Sequence, residues 1–127
     1  MTHTEKQNVI SIIIPCYNEE RNLEIGVLDE VYQFLSSQAF PWEIVIVNDE
    51  STDNSKALIQ QFLQGKDNVS LFDIPHGGKL AAVWAGIQHA RGEVVLFTDM
   101  DQSTSIHELD KLLPWYHQGY DVVIGSR

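Results

Sequence analysis

The sequence predicts an α/β protein built on a mainly parallel, doubly wound sheet. Short apolar runs rich in β-branched residues recur along the chain, and stretches with apolar residues every three or four positions separate them. Strands of a parallel sheet read as nearly continuous apolar runs because helices cover both faces. The 127 residues, 43% hydrophobic and 20% charged, fit one domain over residues 1–127.

The first unit of this pattern is a strand followed by a helix. Residues 9–14 (VISIII) predict a buried strand, and Pro15 is expected to end it. Residues 21–36 then predict one amphipathic helix that covers the strand. Its expected inward face comprises Leu23, Val27, Leu28, Val31 and Phe34 or Leu35.

The second unit repeats this order. Residues 43–47 (EIVIV) predict the second strand. Three residues offer side-chain oxygens that suit the amino end of the next helix, namely Ser51, Thr52 and Asp53. Gly65 is expected to end that helix.

Two more strands follow. Residues 69–74 predict the third strand, and a loop with two glycines leads into a helix of small residues over 79–90. Gly92 closes this unit, and residues 94–98 (VVLFT) predict the fourth strand.

The remaining chain predicts one more helix and one more strand. The helix covers residues 106–116, where Pro114 is expected to kink or shorten it. The strand covers residues 121–124.

Charge and cysteine content restrict the function. Eighteen acidic residues against eight basic ones give a formal charge of −10, which repels nucleic acid, so we expect no nucleic-acid partner. An anionic ligand therefore needs a metal ion or a few local basic side chains. The single cysteine, Cys16, and an amino terminus without an apolar secretory stretch favour a cytoplasmic location.

Polar residues follow the first, second and fourth strands, and ligands of open parallel sheets bind at that edge. Asp99 and Asp101 are two apart at a strand end, so both carboxylates can face one ion. Mg²⁺ or Mn²⁺ held by such a pair would carry substrate phosphates. Alternatively, Asp101 only caps the next helix, where Ser103 and Thr104 serve equally well.

Three other residues at this edge are candidates for binding a nucleotide. Asp49 could accept hydrogen bonds from base N–H or ribose hydroxyl groups; alternatively, it is an acidic residue that only stabilises a turn or caps a helix. Tyr17 could pack against a base; alternatively, it is an ordinary half-buried aromatic residue. Lys79 opens a helix after two glycines, where phosphate is favoured. The segment is no P-loop and no G-x-G-x-x-G follows the first strand, which argues against a nucleotide triphosphatase or a dehydrogenase. Among the histidines, only His76 is expected near this site.

Six ordered segments together resemble glycosyltransferase family two. They are IPCYNEE (14–20), VNDESTD (47–53), GKLAA (78–82), ARGE (90–93), DMDQ (99–102) and YDVVIGSR (120–127). The resemblance is closest to the polyprenyl-phosphate sugar synthases, such as dolichyl-phosphate glucose and mannose synthases, because those share the Gly-Lys and Gly-Ser-Arg segments.

The resemblance implies a GT-A fold with strand order 3-2-1-4, a nucleoside-diphosphate sugar donor, Mg²⁺ or Mn²⁺, and inverting transfer. Glucose or mannose is the expected sugar, and a polyprenyl phosphate or another acceptor receives it. Matched positions assign the donor to Pro15, Tyr17, Asn18, Glu19, Asp49, Ser51, Lys79, Asp99 and Arg127. They assign the metal to Asp99 and Asp101, with Gln102 as a further contact.

Two departures from the family pattern matter. Glu50 stands where the family has glycine, and is expected to crowd or charge the nucleotide pocket. The acceptor region and the usual catalytic base are expected beyond Arg127, so the chain would be a truncated catalytic domain whose parent could be membrane-associated. A catalytically silent nucleotide-binding or assembly module is the alternative.

The same arrangement implies self-association. A later antiparallel strand of the GT-A fold would lie between the fourth strand and residues 121–124. Without it the fourth strand is a template for pairing. Either residues 121–124 pair with it, or a second chain does and forms a homodimer.

Overall fold

A computed structural model of the protein describes residues 7–101, with side chains from residue 9 onward. These residues form a parallel sheet with helices on both faces. The expectations for residues 106–116 and 121–124, and for Gln102 and Arg127, lie outside the described residues.

Strands and helices alternate from the first strand onward, except that two helices follow it. In order they are β1 (Gln7–Cys16), α1 (Glu20–Glu24), α2 (Val27–Ser36), β2 (Trp42–Asn48), α3 (Ser55–Phe62), β3 (Val69–Asp73), α4 (Lys79–His89) and β4 (Gly92–Phe97).

The sheet has the strand order β3-β2-β1-β4 and every described pair of strands is parallel, which confirms the predicted fold class. At the centre, Ile12 of β1 is opposite Ile44 of β2 and Leu96 of β4. The middle residues of β1 and β2 are fully buried, because both faces of these strands are covered.

Alternate residues of β1 and β2 pack on opposite layers. Ile12 and Ile14 belong to the larger core beneath α2 and α3, whereas Ile13 packs in a smaller core with Ala82 of α4. A Cβ atom on Gly86 would lie 2.4 Å from Cγ2 of Ile13. The small residues of α4 therefore let that helix approach β1 closely.

The predicted single helix over residues 21–36 is wrong, because the chain breaks it at Gly26. Gly26 has a φ of 89°, in the left-handed region that favours glycine, and separates α1 from α2. Ile25 is 75% exposed just before the break. Leu28, Val31 and Leu35 face the core from α2.

Pro15 does not end β1, which continues to Cys16 and pairs Pro15 with Val47. The carbonyl of Ile13 accepts from the Thr98 N–H at 3.0 Å, so the odd residues of β1 direct their backbone groups toward β4. The β1–β4 pairing stops at Ile13, and the missing N–H of Pro15 therefore removes no ladder bond.

The expected capping residues of α3 act differently from the prediction. The helix begins at Ser55, and its N-cap residue Asn54 makes no side-chain cap bond. Asp53 Oδ1 accepts from the Ser55 N–H at 2.9 Å, whereas Ser51 and Thr52 bond to the loop after β1. The helix also ends at Phe62, with Leu63 as its C-cap, and not at Gly65.

Two surface features complete the described part of the fold. Within residues 7–101, β4 is an edge strand that pairs with β1 alone. On α4, Leu80 is 84% exposed and Trp84 is 61% exposed. None of the described helices has both the length and the apolar character that crossing a membrane requires.

A buried polar cluster connects β1, β2 and β4 near the amino ends of β2 and β4, opposite the ends that border the loops after the strands. Glu43 is 3% exposed, and its Oε2 accepts from Ser11 Oγ at 2.5 Å and from the Arg91 N–H at 2.6 Å. Arg91 Nε donates to Oε1 at 3.1 Å, and Ser11 Oγ accepts from the Gly92 N–H at 2.9 Å. Burial raises the pKa of Glu43, but the bonds from Ser11 and Arg91 outweigh it and lower the pKa overall.

Replacing Glu43 with Gln is expected to lower the free energy of unfolding at pH 7 by about 1.5–3 kcal/mol, because charge-assisted bonds are lost. Since the folded pKa lies below the unfolded one, the ionised Glu43 stabilises the fold above the unfolded pKa. That stability is lost as pH falls through the folded value.

Urea unfolding at pH 7 and at about pH 3 measures this difference. The difference in free energy of unfolding between wild type and Glu43→Gln should be smaller at about pH 3 than at pH 7. Glu24→Gln, at an exposed position, is the control and should change stability by less than about 0.5 kcal/mol. An equal gap at both pH values would contradict the role given to the Glu43 charge.

Candidate functional site

The carboxyl ends of the strands border an open cleft with a volume of about 400 Å³. The loops after all four strands and the start of α4 supply its walls. The lining residues are Pro15, Cys16, Tyr17, Glu19, Asp49, His76, Gly78, Lys79, Ala82, Asp99, Met100 and Asp101. The structure thus brings most of the sequence-predicted site residues to one place.

The loop after β1 is held by the loop after β2. Asn18 has a φ of 52°, and its Oδ1 accepts from the backbone N–H groups of Thr52 at 2.7 Å and Asp53 at 3.3 Å. The Asn18 N–H donates to Ser51 Oγ at 3.0 Å. Asn18 and Ser51 therefore hold together two loops that border the cleft, although neither residue is among those that line it. Their predicted contact with substrate stays a prediction.

Glu19 follows this loop and faces the cleft. Its N–H donates to Ser55 Oγ at 2.8 Å, and its Oε1 accepts from Asn22 Nδ2 at 2.8 Å. Burial raises the pKa of the Glu19 carboxyl, and the charges of Asp101 and Asp99 raise it further. The negative charges of Asp99 and Asp101 therefore act on Glu19 within the cleft.

Asp49 organises the loop that precedes α4. Its N–H donates to the Cys16 carbonyl at 2.8 Å, which fixes it at the end of β2. The side chain is 3% exposed, and it accepts from the Gly77 N–H at 2.8 Å and the Gly78 N–H at 3.0 Å. His76 Nδ1 lies 3.0 Å from Oδ2. Whether Asp49 also contacts a base or ribose stays a prediction.

Tyr17 and His76 form an aromatic pair at the cleft. Their ring centroids are 4.7 Å apart with an interplanar angle of 35°, and Tyr17 is 45% exposed. Such exposed faces suit stacking with a planar ligand. The sequence indicated His76 only by its place beside two glycines, and the pairing with Tyr17 had no sequence signal.

Lys79 and Asp99 meet at the opening of α4. Lys79 Nζ lies 2.5 Å from Asp99 Oδ1, with the two side chains 54% and 27% exposed. Asp101 is exposed, whereas Met100 between them is 1% exposed and packs in the core. Both carboxylates therefore line the cleft, as the sequence predicted.

The chemistry of this carboxylate set suits a hard divalent cation. Mg²⁺ is usually bound by one or two carboxylates together with substrate phosphates, and Asp99 with Asp101 supplies that number. Among residues 7–101 no group of three or more His, Cys, Asp and Glu side chains is arranged to hold an ion. A metal held by these two carboxylates would accordingly bind weakly alone and more tightly with further ligands from its substrate.

Comparison with known proteins decides the family. Residues 11–127 match the family model for glycosyl transferase family 2. The chain belongs to that family.

Two curated relatives align with nearly the whole length of the chain. The chain is 39% identical to "Dolichyl-phosphate beta-glucosyltransferase ALG5A" of Trichomonas vaginalis over 93% of its own length and 40% of that protein. It is 31% identical to "Undecaprenyl-phosphate 4-deoxy-4-formamido-L-arabinose transferase" of Proteus mirabilis, over 100% of its own length and 39% of the relative. The chain thus spans about 40% of the relatives it matches.

A solved structure has the same fold. The mannosyltransferase PcManGT of Pyrobaculum calidifontis, in complex with GDP-Man and Mn²⁺, superimposes with a TM-score of 0.59 at 30% identity. The match covers 77% of this family 2 chain and 28% of that protein. This similarity confirms the GT-A fold that the sequence predicted.

Glu50, where the family resemblance implies glycine, is not among the residues that line the cleft, so the expected crowding is not seen, whereas the expected effect of its charge on a nucleotide stays a prediction. Its φ of 54° is the left-handed conformation that the glycine would favour. The carboxylate accepts from the His76 N–H at 2.9 Å, and the residue lines a separate groove with Lys56 and Pro75.

Sequence analysis of this family 2 chain missed several lining residues. Cys16 is fully buried at the base of the cleft, and burial raises the pKa of its thiol. Ala82 and Met100 also contribute to the lining. These are apolar packing residues; each lies within one of the six family segments, but local apolar pattern does not distinguish it from the rest of the core.

Glu50→Gly and Glu50→Ala separate the effect of the left-handed backbone at this position from the effect of the side-chain bond to His76. Both lose the bond to the His76 N–H, but only glycine removes the left-handed penalty, which is about 1–2 kcal/mol. Glu50→Gly should therefore unfold at higher urea than Glu50→Ala. Its nucleotide affinity should equal or exceed that of wild type, because a negative charge next to the cleft-lining His76 is removed. Equal stability of the two variants, or a large loss of affinity in Glu50→Gly, would contradict this account.

Proposed function

We propose that this chain is the donor-binding part of an inverting hexosyltransferase. It binds a nucleoside-diphosphate sugar through a divalent metal, and the whole protein transfers the sugar, glucose or mannose, to a polyprenyl phosphate or a related acceptor. The observation that carries the proposal is the cleft at the strand ends, where Asp99, Asp101 and Lys79 meet within a family 2 fold. Two relatives whose names include a polyprenyl-phosphate acceptor support the acceptor class.

The charge of the cleft supports the metal requirement. Four carboxylates line it, from Glu19, Asp49, Asp99 and Asp101, while Lys79 is the one lysine or arginine in the lining that the structure describes. A diphosphate entering this space would face net repulsion at close range. Mg²⁺ or Mn²⁺ at Asp99 and Asp101 removes that repulsion, and the GDP-Man and Mn²⁺ in the PcManGT complex support the choice.

The remaining donor contacts follow from the positions of side chains around the cleft. The Tyr17 and His76 rings provide a surface for the base, and Asp49 lies beside them for a nucleoside N–H or hydroxyl. Lys79 provides a cation for the phosphates. Pro15 shapes the wall next to Tyr17.

In the proposed reaction, an acceptor oxygen attacks the anomeric carbon as the bond to the nucleoside diphosphate breaks. The leaving group departs with the bonding electron pair, and the configuration inverts. A bound divalent metal supplies positive charge next to the oxygens on which negative charge grows. Lys79, whose ammonium lies against Asp99, adds positive charge for the phosphates, and we assign no general base among the described residues.

Further proposals concern the extent of the domain, two more contact residues, the location and the parent protein. Residues 1–127 act as one nucleotide-sugar-binding domain, and Gln102 and Arg127 belong to the metal and phosphate contacts. A cytoplasmic location rests on the single free thiol of Cys16. Membrane association of the parent protein rests on the lipid-linked acceptors in the names of the relatives.

Asp101→Ala, and more weakly Asp99→Ala, should abolish Mn²⁺-dependent binding of a UDP or GDP sugar without unfolding the domain. Each substitution removes one of two carboxylates from the metal site. Calorimetric titration with and without Mn²⁺ measures the effect. Asp67→Ala, at an exposed position between α3 and β3, is the control with the same charge change and should bind as wild type.

Unchanged metal-dependent affinity in both variants would remove the metal assignment. Absence of nucleotide binding by the wild type, under any metal condition, would favour a catalytically silent assembly module instead.

Self-association through β4 is expected, because β4 is an edge strand within the described residues and its Phe97 is 39% exposed. A second β4 can pair there and form a homodimer unless residues 121–124 pair with it first. Light scattering at high micromolar concentration measures the mass. A strict monomer would reject the dimer and leave pairing within one chain.

A further inference from the structure

We propose that Lys79 is a placeholder cation, whose ammonium occupies the carboxylate environment of the metal until a nucleotide arrives. In this proposal, which rests on the proposed function, the donor phosphates draw Lys79 away from Asp99. Asp99 then becomes available to the metal. Lys79 would thus couple metal binding to nucleotide binding.

The geometry of the pair carries this inference. Lys79 Nζ lies 2.5 Å from Asp99 Oδ1, a contact short enough for a charge-assisted hydrogen bond. Both side chains line the same cleft, so the ammonium and a metal ion bound at Asp99 would compete for one carboxylate. Lys79 Nζ also lies 5.9 Å from the centroid of the Phe97 ring, which adds a weak attraction in the same position.

The charge around the pair explains why a placeholder is needed. Glu19, Asp99 and Asp101 line the same cleft as Lys79, so three negatively charged groups share one space. An ammonium group among them relieves part of the repulsion between like charges while the cleft is without ligand. The helix start and the preceding glycines hold the stem of Lys79 at the edge of the cleft, where the side chain remains 54% exposed.

This exposure also makes the ion pair easy to break. Half-exposed pairs contribute little net stability, since water screens them and the long side chain loses freedom. A diphosphate oxygen offers Lys79 a more strongly charged partner within the reach of its four-carbon stem. Once Lys79 moves, Asp99 can join Asp101 at the metal, so nucleotide and metal should each strengthen the binding of the other.

Calorimetry with Mn²⁺ alone, and then with Mn²⁺ in saturating UDP or GDP, tests the proposal in three variants. Lys79→Met removes the ammonium and keeps a stem of similar length, whereas Lys79→Arg keeps a cation. Lys56→Met is the matched control, because it breaks the 2.8 Å pair with Asp73 and removes the same charge outside the cleft. Thermal unfolding verifies that each variant is folded.

Lys79→Met should bind Mn²⁺ alone about threefold more tightly than wild type, the size expected from a half-exposed ion pair. Lys56→Met and Lys79→Arg should stay within about 1.5-fold of wild type. In addition, the factor by which saturating nucleotide strengthens Mn²⁺ binding should fall in Lys79→Met and persist in both controls.

Mn²⁺ affinity in Lys79→Met equal to that of wild type, or no Mn²⁺ binding by any variant, would overturn the placeholder role. The proposed function fails separately, if the wild type shows no Mn²⁺-dependent nucleotide binding. The arm with Mn²⁺ alone still decides the role of Lys79 in that case.

Discussion

The position of β1 between β2 and β4 is the constraint on which the cleft depends. Helices α2 and α3 pack on one face of the sheet, whereas α4 packs on the other. Consecutive connections therefore change faces where β1 and β4 are neighbours, and the loops that leave these strands diverge. The space between them is the cleft, with the residues after β1 on one wall and the residues after β4 on the opposite wall.

Side-chain bonds to backbone N–H groups give that space its shape. Asn18 and Ser51 connect the loops after β1 and β2, and Asp49 holds the two glycines before α4. Each bond joins segments that are distant in the chain, so the loops support one another. A cleft organised in this way loses little further entropy when a ligand binds.

Two carboxylates show how the same chemical group serves different purposes. Glu43 is buried with donors from Ser11 and Arg91, so its pKa is lowered and its charge stabilises the sheet. Glu19 is partly buried near Asp99 and Asp101, so its pKa is raised. The donors around Glu43 stabilise its charged form. The environment of Glu19 destabilises its charged form, and a cation in the cleft would stabilise it. A carboxyl group with a shifted pKa in a cleft is typical of functional sites.

The local apolar pattern by itself determined the alternating strands and helices, and the polar residues at strand ends located the site. This was possible because strand burial and helix amphipathicity are properties of neighbouring residues. The strand order came from ordered family motifs, and the structure confirmed it. Asp99, Asp101, Lys79, Asp49 and Tyr17 were found in the same way, because each follows a strand or opens a helix.

Tertiary structure alone decided the details that depend on distant partners. Pro15 stays inside β1 because β4 has already ended beside it, and Ser51 bonds to Asn18 instead of capping α3. Glu50 bonds to the His76 N–H and lines a separate groove rather than the cleft. Likewise, the sequence placed Lys79 near phosphate, but only the folded chain sets its ammonium against Asp99. These outcomes depend on contacts between loops far apart in the chain, which local patterns do not encode.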